Sequence, residues 1–241
     1  MSLSDIRALV KDKNVLLVGN NLTALQIKQG TLIDSYDIVV RFGKGLTNGR
    51  EDYLGYRTDI WVTGGFRKTM RKYLPKGTKV LYNSSILSRD KVIDPPDYPH
   101  TVMYSLEEID AINAQYGQTG NKRLSAGAVT AHWFYYVVGG FKSISFINFD
   151  FFHSTTKFLD VKHGVHNVAS SWHLPIAIPK FAKEHDTPEL HPAHDLEVER
   201  KIFDEILSNK DAFFIGELPD KPRFVNVENA AWDNVRQKIE D

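Results

Sequence analysis

Short apolar runs alternate with amphipathic stretches along most of the chain, and this alternation predicts the architecture. The apolar runs predict strands, which cover residues 15–18, 37–42, 58–63, 79–82, 101–104, 143–148 and 212–215. The amphipathic stretches predict helices at residues 4–11, 22–29, 66–73, 106–116, 125–138, 196–207 and 232–241. Strands that alternate with helices are typical of an α/β domain with a mainly parallel sheet and helices on both faces.

The first predicted strand ends in a turn with the sequence Gly19-Asn20-Asn21. A helix that begins at Leu22 would leave the N–H groups of its first turn free for a phosphate or another polar ligand. We therefore expect a nucleotide site at this turn. The same residues also fit a tight strand-to-helix turn with an asparagine cap, an alternative that involves no ligand.

Length and composition favour one domain over residues 1–241, with 42% hydrophobic residues to form its core. Lys and Arg number 30, as do Asp and Glu, so the net charge of zero gives no general attraction to nucleic acid or to anionic membranes. The chain has no cysteine, which excludes disulfides, thiolate metal ligands and a cysteine nucleophile. The first residues lack an apolar leader and no apolar run approaches the roughly 20 residues of a membrane span, so we expect a cytoplasmic protein.

Residues 151–192 lack clear periodicity and are rich in histidine. The histidines of this region are His153, His163, His166, His173, His185 and His191. A long irregular segment inside a compact domain is typical of a binding loop or an active-site lid. We therefore predict that the chemistry of the protein involves this segment.

Three segments, in order, resemble motifs of the sialyltransferases of glycosyltransferase families 29 and 42. Val18-Gly19-Asn20 with residues 34–42 resembles the first, long motif, and residues 55–59 are similar to its end. Arg123-Leu-Ser-Ala-Gly127, continued through residues 140–152, resembles the second motif. His194 and the glutamate five positions later resemble the late motif.

The resemblance implies a single Rossmann-like domain, the sialyltransferase-type variant of the GT-A fold. It also implies transfer of sialic acid or a related sugar from a CMP-linked donor to a glycan hydroxyl, with inversion and without a metal or another cofactor. The chain contains no Asp-X-Asp triplet, the usual carboxylate clamp for a metal-bound nucleotide sugar. The donor-binding residues expected from the matched motifs are Gly19, Asn20, Asn21, Ser125, Gly127 and Phe151.

An inverting transfer needs a general base for the acceptor hydroxyl, and imidazole suits this role near neutral pH. The late motif implies that His194 is the base. Glu199, about one helical turn further along, or Asp195 would orient its ring. His191 competes with His194 for the role, because Asp195 can serve either histidine.

A second histidine is implied near the phosphate of the donor. Without a metal, the leaving phosphate must be stabilised by protein donors, such as the helix N-termini predicted at Asn20 and Ser125 or a basic side chain. Among the histidines between the second and late motifs, His173 is the first choice for this role, and His166 and His163 are its rivals.

Some positions depart from the motifs. Gly43 stands where the families usually have an asparagine that contacts the nucleotide, and Thr63 or Gly64 stands where the bacterial enzymes have another. Phe152 replaces a tyrosine whose hydroxyl reaches the phosphate. With these departures, the donor could be CMP-sialic acid, CMP-Kdo or a sugar linked to another nucleotide. Loss of activity is a further alternative.

Two other classes of protein compete with the transferase. His163 with His166, and His191 with His194, are spaced three apart and could hold zinc in a metal-dependent hydrolase, although Gly164 and Pro192 make both poor helical clamps. A non-catalytic module that binds nucleotide or glycan is the third class.

As partners we expect a nucleotide-sugar donor, with a CMP-sugar first, and a glycan or glycolipid acceptor, but no nucleic acid. The cysteine-free chain favours a bacterial or viral cytoplasmic protein, including one that is peripheral to the inner face of the membrane. Acceptor, linkage and oligomeric state are set by loops for which a single sequence offers no code.

Overall fold

A computed structural model describes residues 2–21, 24, 27–43, 47, 49–63, 75–82, 100–118, 124–149, 154–160, 164–169, 196–216 and 223–225. Within these residues the main sheet has seven strands, all parallel. They are β1 (Asn14–Val18), β2 (Ile38–Phe42), β3 (Ile60–Thr63), β4 (Lys79–Tyr82), β5 (Thr101–Val102), β6 (Ser143–Ile147) and β9 (Ala212–Ile215). All seven predicted strands are therefore present, which confirms the α/β fold class.

The order of the strands across the sheet is β5-β4-β3-β2-β1-β6-β9. From β1 the chain builds the sheet outward to β5 on one side, and then returns to place β6 and β9 on the other side. The winding direction therefore reverses between β1 and β6. Open α/β sheets bind ligands in the crevice at the carboxyl ends of the strands where this reversal occurs.

Helices cover both faces of the sheet. The described α-helices are α1 (Leu3–Val10), α2 (Gly30–Asp34), α3 (Glu51–Leu54), α4 (Leu106–Gln115), α5 (Ala126–His132) and α6 (Leu196–Leu207). Val15 and Leu17 of β1 belong to the larger apolar layer, together with buried residues of α1, α4, α5 and α6. Leu16 and Val18 point the other way and pack with Ile33 of α2. None of these helices is long and apolar enough to cross a membrane.

Two helices near the N-terminus differ from the sequence prediction. α1 begins one residue earlier than predicted and is capped by Ser2, because Ser2 Oγ accepts the N–H of Asp5 at 3.3 Å and the Asp5 carboxylate accepts the N–H of Ser2 at 2.7 Å. In the described residues no α-helix follows β1 directly, and the helix predicted at 22–29 is wrong at Ala24, which lies in a 3₁₀ turn, and over 27–29. The next α-helix is the short α2, so an open N-terminus next to β1 is not found.

α5 continues as a π-helix over Trp133–Val138, so the predicted long helix is present but widens in its second half. Gly139 ends it with a φ of +59°, a left-handed conformation that favours glycine. Arg7 of α1 donates to the carbonyls of Val137 and Val138 at 2.7 and 3.3 Å. These bonds satisfy carbonyl groups that the helix end leaves without intrahelical partners.

The region predicted to be an irregular lid contains a hairpin. β7 (Ser154–Asp160) pairs antiparallel with β8 (Gly164–Ala169), and β10 (Arg223–Val225) adds in parallel to β7. The expectation of irregular structure is therefore wrong for these two strands. The remainder of 151–192 and the helices predicted at 66–73 and 232–241 lie outside the described residues.

Candidate functional site at the carboxyl ends of β1 and β6

The turns that follow β1 and β6 are bound to each other at the crevice. The N–H of Gly19 donates to the Ile147 carbonyl at 2.8 Å, and the N–H of Asn21 donates to the Asn148 carbonyl at 3.3 Å. A Cβ atom on Gly19 would lie 2.2 Å from the Asn148 carbonyl oxygen, so this approach of the two backbones requires glycine. These two N–H groups serve the fold and are not free for a phosphate.

Three amide side chains lie around this junction. Asn20 Nδ2 donates to the Phe42 carbonyl at 3.1 Å and so ties the end of β1 to the end of β2. Gln29 Nε2 donates to Asn148 Oδ1 at 2.6 Å. Among the described residues, Asn148 Nδ2 is buried and has no hydrogen-bond partner. The crevice therefore contains a polar group that this part of the chain leaves unsatisfied.

The N-terminus of α5 is held by a carboxylate from α6. Ser125 is the N-cap, with its Oγ accepting the N–H of Ala128 at 3.2 Å. The buried Glu199 carboxylate accepts the Ser125 N–H at 2.6 Å and the Ser125 hydroxyl at 2.8 Å. A negative charge is favourable at this end of a helix. Glu199 therefore has Ser125 as its partner, and this contact joins the first turns of the two helices.

Gly127 and Phe149 bring the start of α5 against the end of β6. A Cβ on Gly127 would lie 2.6 Å from the Phe149 ring, so glycine makes room for the aromatic side chain. The Phe149 ring packs edge-on against Phe42, with 5.8 Å between ring centroids, and tilted against Phe203 of α6 at 5.2 Å. Gly19, Ser125 and Gly127, predicted from separate motifs, therefore lie at one edge of the sheet.

The charged residues of the first motif form a different cluster, on the β2 side of β1. The Asp34 carboxylate accepts the N–H groups of Tyr56 and Arg57 at 3.0 Å each. Arg57 donates back to the carbonyls of Asp34 and Asp37 at 3.1 and 2.8 Å, and to the Asp59 carboxylate at 3.0 Å. Since each of these partners belongs to a neighbouring loop or strand end, the cluster stabilises the loops around α3.

Arg41 is buried beneath α3, and its guanidinium binds backbone carbonyls rather than the carboxylate of Asp37. Its guanidinium donates to the carbonyls of Arg57, at 2.8 Å, and Leu54. The Asp37 carboxylate instead accepts the backbone N–H of Asn14 at 2.9 Å. Burial lowers the pKa of Arg41 to about 10, and the nearby acidic residues oppose that shift. Arg41 therefore holds the end of α3 in place.

Most of the histidine predictions fall outside the described residues. This applies to His194, His191, His173 and His163, and also to Phe151. The backbone of His166 lies in β8, opposite Phe158, so a helical spacing with His163 does not apply at this position. Among the residues that the structure describes, no group of three or more His, Asp or Glu side chains is placed to hold a metal ion.

A second polar cluster surrounds His132, two turns after Ser125 on α5. The Tyr104 hydroxyl and His132 Nδ1 are 2.7 Å apart, and the rings of Tyr116 and Tyr136 also contact His132. Both of these tyrosine hydroxyls donate to Glu205 of α6. Burial lowers the pKa of His132 and raises the pKa of Tyr116 to about 12, the latter with help from the Glu205 bond.

Sequence reasoning missed Asn148 and Gln29 as site residues. Asn148 was read as the last residue of a buried strand, and Gln29 as the last residue of a helix. The signal for Asn148 in the sequence is an asparagine that stands between an apolar run and a loop. Asparagine tolerates the left-handed backbone conformation, and Asn148 adopts it with a φ of +61°.

Comparisons with known proteins support the fold. No known family matches the sequence, and no curated protein matches it. The fold is similar to a mammalian sialyltransferase crystallised with Gal-β-1,3-GalNAc-ortho-nitrophenol, with a TM-score of 0.53, 17% identity and coverage of 88% of this chain and 72% of that one. A second mammalian sialyltransferase structure gives a TM-score of 0.52, 18% identity and coverage of 89% and 79%. At this level of identity the likeness establishes the sialyltransferase-type fold.

Proposed function

We propose that the chain is a metal-independent, inverting glycosyltransferase that transfers sialic acid or a related sugar from a CMP-linked donor to a glycan hydroxyl. The likeness to two sialyltransferase structures over 88 and 89% of the chain carries this proposal. The positions of four motif residues support it, because Gly19 and Asn20 of the first motif and Ser125 and Gly127 of the second motif lie around the crevice between β1 and β6.

The donor nucleotide binds in this crevice, against the turns after β1 and β6. The junction in which Gly19 donates to Ile147 and Asn21 donates to Asn148 gives the crevice a fixed floor, and Gly127 keeps the start of α5 close to it. Asn20 and Asn21 complete the part of the crevice that binds the nucleotide. Phe151, which follows β6 in the chain, also belongs to this part. Such a crevice at the reversal of the winding is where open α/β sheets bind nucleotides.

His194 is the general base of the reaction. It precedes Leu196, the first residue of α6, by two positions, and the Glu199–Ser125 contact anchors the first turn of α6 at the crevice edge. Because both oxygens of Glu199 accept bonds from Ser125, we assign the orientation of the imidazole to Asp195 and a positioning role to Glu199. His173, with His166 as its alternative, stabilises the leaving phosphate.

The test is transfer from CMP-sialic acid to the disaccharide present in one of the similar structures, with chelator-treated protein. CMP release without acceptor reports hydrolysis of the donor. We expect His194→Ala to lower transfer by about a hundredfold or more while CMP binding stays unchanged, the usual scale for loss of a general base. His191→Ala is the matched control and should retain activity.

Several results would contradict the proposal. Transfer that requires added Mg²⁺ or Zn²⁺ would overturn metal independence. Loss of activity in His191→Ala with full activity in His194→Ala would show that His191, and not His194, is the general base. If CMP-sialic acid is inert, CMP-Kdo is the next donor, and failure of both with intact CMP binding would identify a non-catalytic nucleotide-binding module.

The proposed setting follows from the composition, because a chain without cysteine is typical of a reducing compartment. We place the protein in the cytoplasm, with a lipid-linked glycan at the inner membrane face as the acceptor. Co-sedimentation with vesicles that carry the glycolipid tests this placement.

A further inference from the structure

We propose that the side-chain amide of Asn148 donates a hydrogen bond to an oxygen of the ribose or base of the donor nucleotide, and that Gln29 positions this amide. The inference rests on the proposed function, because it assigns a residue to the donor site. It adds a contact from a residue at the end of β6 that the motifs do not single out.

The first observation is the unsatisfied N–H group. Asn148 Nδ2 is buried and has no partner within the part of the chain that the structure describes, although its neighbours Asn20 and Gln29 both use their amides in hydrogen bonds. Buried polar groups in folded proteins almost always have partners, because an unpaired N–H removed from water is destabilising. A ligand that supplies an acceptor removes this penalty when it binds.

The second observation is that the amide is already oriented. Gln29 Nε2 donates to Asn148 Oδ1 at 2.6 Å, which fixes the carbonyl side of the amide and leaves Nδ2 on the opposite side. The backbone of Asn148 is also held, since its carbonyl accepts the N–H of Asn21 and lies against Gly19. The φ of +61° lies in the left-handed region, which asparagine tolerates better than most residues other than glycine. Several contacts therefore combine to keep one donor in one place.

The position of Asn148 indicates the ligand. It directly follows β6, whose last residue pairs with the last residue of β1, so it stands at the reversal of the winding where nucleotides bind. An Nδ2 group can only donate, so its partner must be an acceptor. The amide is uncharged, which suits a ribose hydroxyl or a base carbonyl better than a phosphate.

Three variants separate a ligand contact from a structural role. Asn148→Asp keeps the shape and the oxygen that Gln29 binds, but replaces the donor with an oxygen that repels the ligand. Asn148→Gly removes the side chain and tolerates the positive φ. Gln29→Met frees the Asn148 amide without touching it. Asn209→Ala, which removes an amide that donates to the carbonyls of Glu205 and Ile206 at the end of α6, is the control.

The measurement is calorimetric titration of each chelator-treated protein with CMP, together with its thermal unfolding midpoint in the absence of ligand. We expect Asn148→Gly to weaken CMP binding about tenfold, the scale of one hydrogen bond, and Asn148→Asp to weaken it further. Gln29→Met should weaken it less, and Asn209→Ala should leave it unchanged. A structural role would instead lower the midpoint and weaken binding in step.

The outcomes distinguish this inference from the proposed function. CMP binding that is tight in the wild type and unchanged in both Asn148 variants overturns the assignment of Asn148 alone. Weaker binding that is matched by an equal fall in the midpoint of every variant also overturns it. If the wild type fails to bind CMP, the donor assignment itself is wrong, and the role of Asn148 falls with it.

Discussion

On the β2 side of β1, charged side chains bind backbone groups of the surrounding loops, whereas on the β6 side an amide N–H has no partner. Arg57 alone donates to several carbonyls and to a carboxylate. Asn148 Nδ2, by contrast, is buried and has no partner among the described residues. Arg41 Nη1 on the β2 side is also buried without a partner there, but the rest of its guanidinium donates to two carbonyls, whereas Nδ2 is the sole donor of the Asn148 side chain. Both regions contain residues of the sialyltransferase-like motifs. The difference teaches that a match to a motif can preserve a loop structure as well as a ligand contact.

The largest expected effect is that of Arg41→Ala, on the β2 side. The change leaves the carbonyls of Leu54 and Arg57 buried without their donor, and we expect a loss of about 3 kcal/mol in the free energy of unfolding. Urea unfolding measures it. Arg200→Ala, which removes an exposed ion pair with Asp204, is the control and should change stability by about 0.5 kcal/mol or less. Equal stability of both variants would contradict the structural role of Arg41.

Gly19→Ala comes next and tests the junction between β1 and β6. The added Cβ would lie 2.2 Å from a backbone oxygen, so the backbones must separate, at a cost of about 2 kcal/mol. Gly127→Ala is a matched comparison, because its Cβ would meet the Phe149 side chain, which can move more easily. Thermal unfolding should therefore show the larger loss for Gly19→Ala. The reverse order would show that the junction is not rigid.

A smaller effect is expected for the bond between α5 and α6. Glu199→Gln removes the charge that accepts two bonds from Ser125, and we expect a loss of about 1.5 kcal/mol. Ser125→Ala should cost a similar amount. Because both variants break the same contact, their combination should cost clearly less than the sum of the two. Strict additivity in this double-mutant cycle would contradict the contact.

The smallest effect is a pH dependence that belongs to neither region. Burial lowers the pKa of His132 in the folded state, so the neutral ring contributes stability above the pKa of the unfolded chain. This contribution is lost as the pH falls below that value, by at most about 1.4 kcal/mol per pH unit for one proton. Urea midpoints at about pH 7.5 and about pH 5 should therefore differ less in His132→Gln than in the wild type. An equal difference between the two midpoints in both proteins would contradict the assignment of this pH dependence to His132.

The strand pattern could be predicted from the sequence because parallel strands buried on both faces are nearly continuous apolar runs, as in Val15-Leu-Leu-Val18. The helix predicted directly after β1 is wrong in the described residues. Its apolar spacing is typical of a helix, but the turn is fixed by bonds to Ile147 and Asn148, which lie far along the chain. The partnership of Glu199 with Ser125 joins residues 74 positions apart and has no local signal.

The hairpin of β7 and β8 shows a related limit. Its strands pair with each other, and β7 also pairs with β10, so their stability depends on neighbours rather than on a strong alternation of apolar residues. The valine and phenylalanine positions of this region favour a strand. The histidines of the same region led instead to the prediction of an irregular functional loop. A histidine count is therefore weaker guidance than the pattern of β-branched and aromatic residues around it.

Hydrogen exchange of the chelator-treated protein, with and without CMP, tests the central claim most directly. The account predicts slower exchange of backbone amides at 19–21, 124–129 and 146–149, around the crevice between β1 and β6, and no change at 56–60 on the β2 side. Protection centred on 56–60, or protection that appears only with added metal, would contradict the assignment of a metal-independent nucleotide site to this crevice.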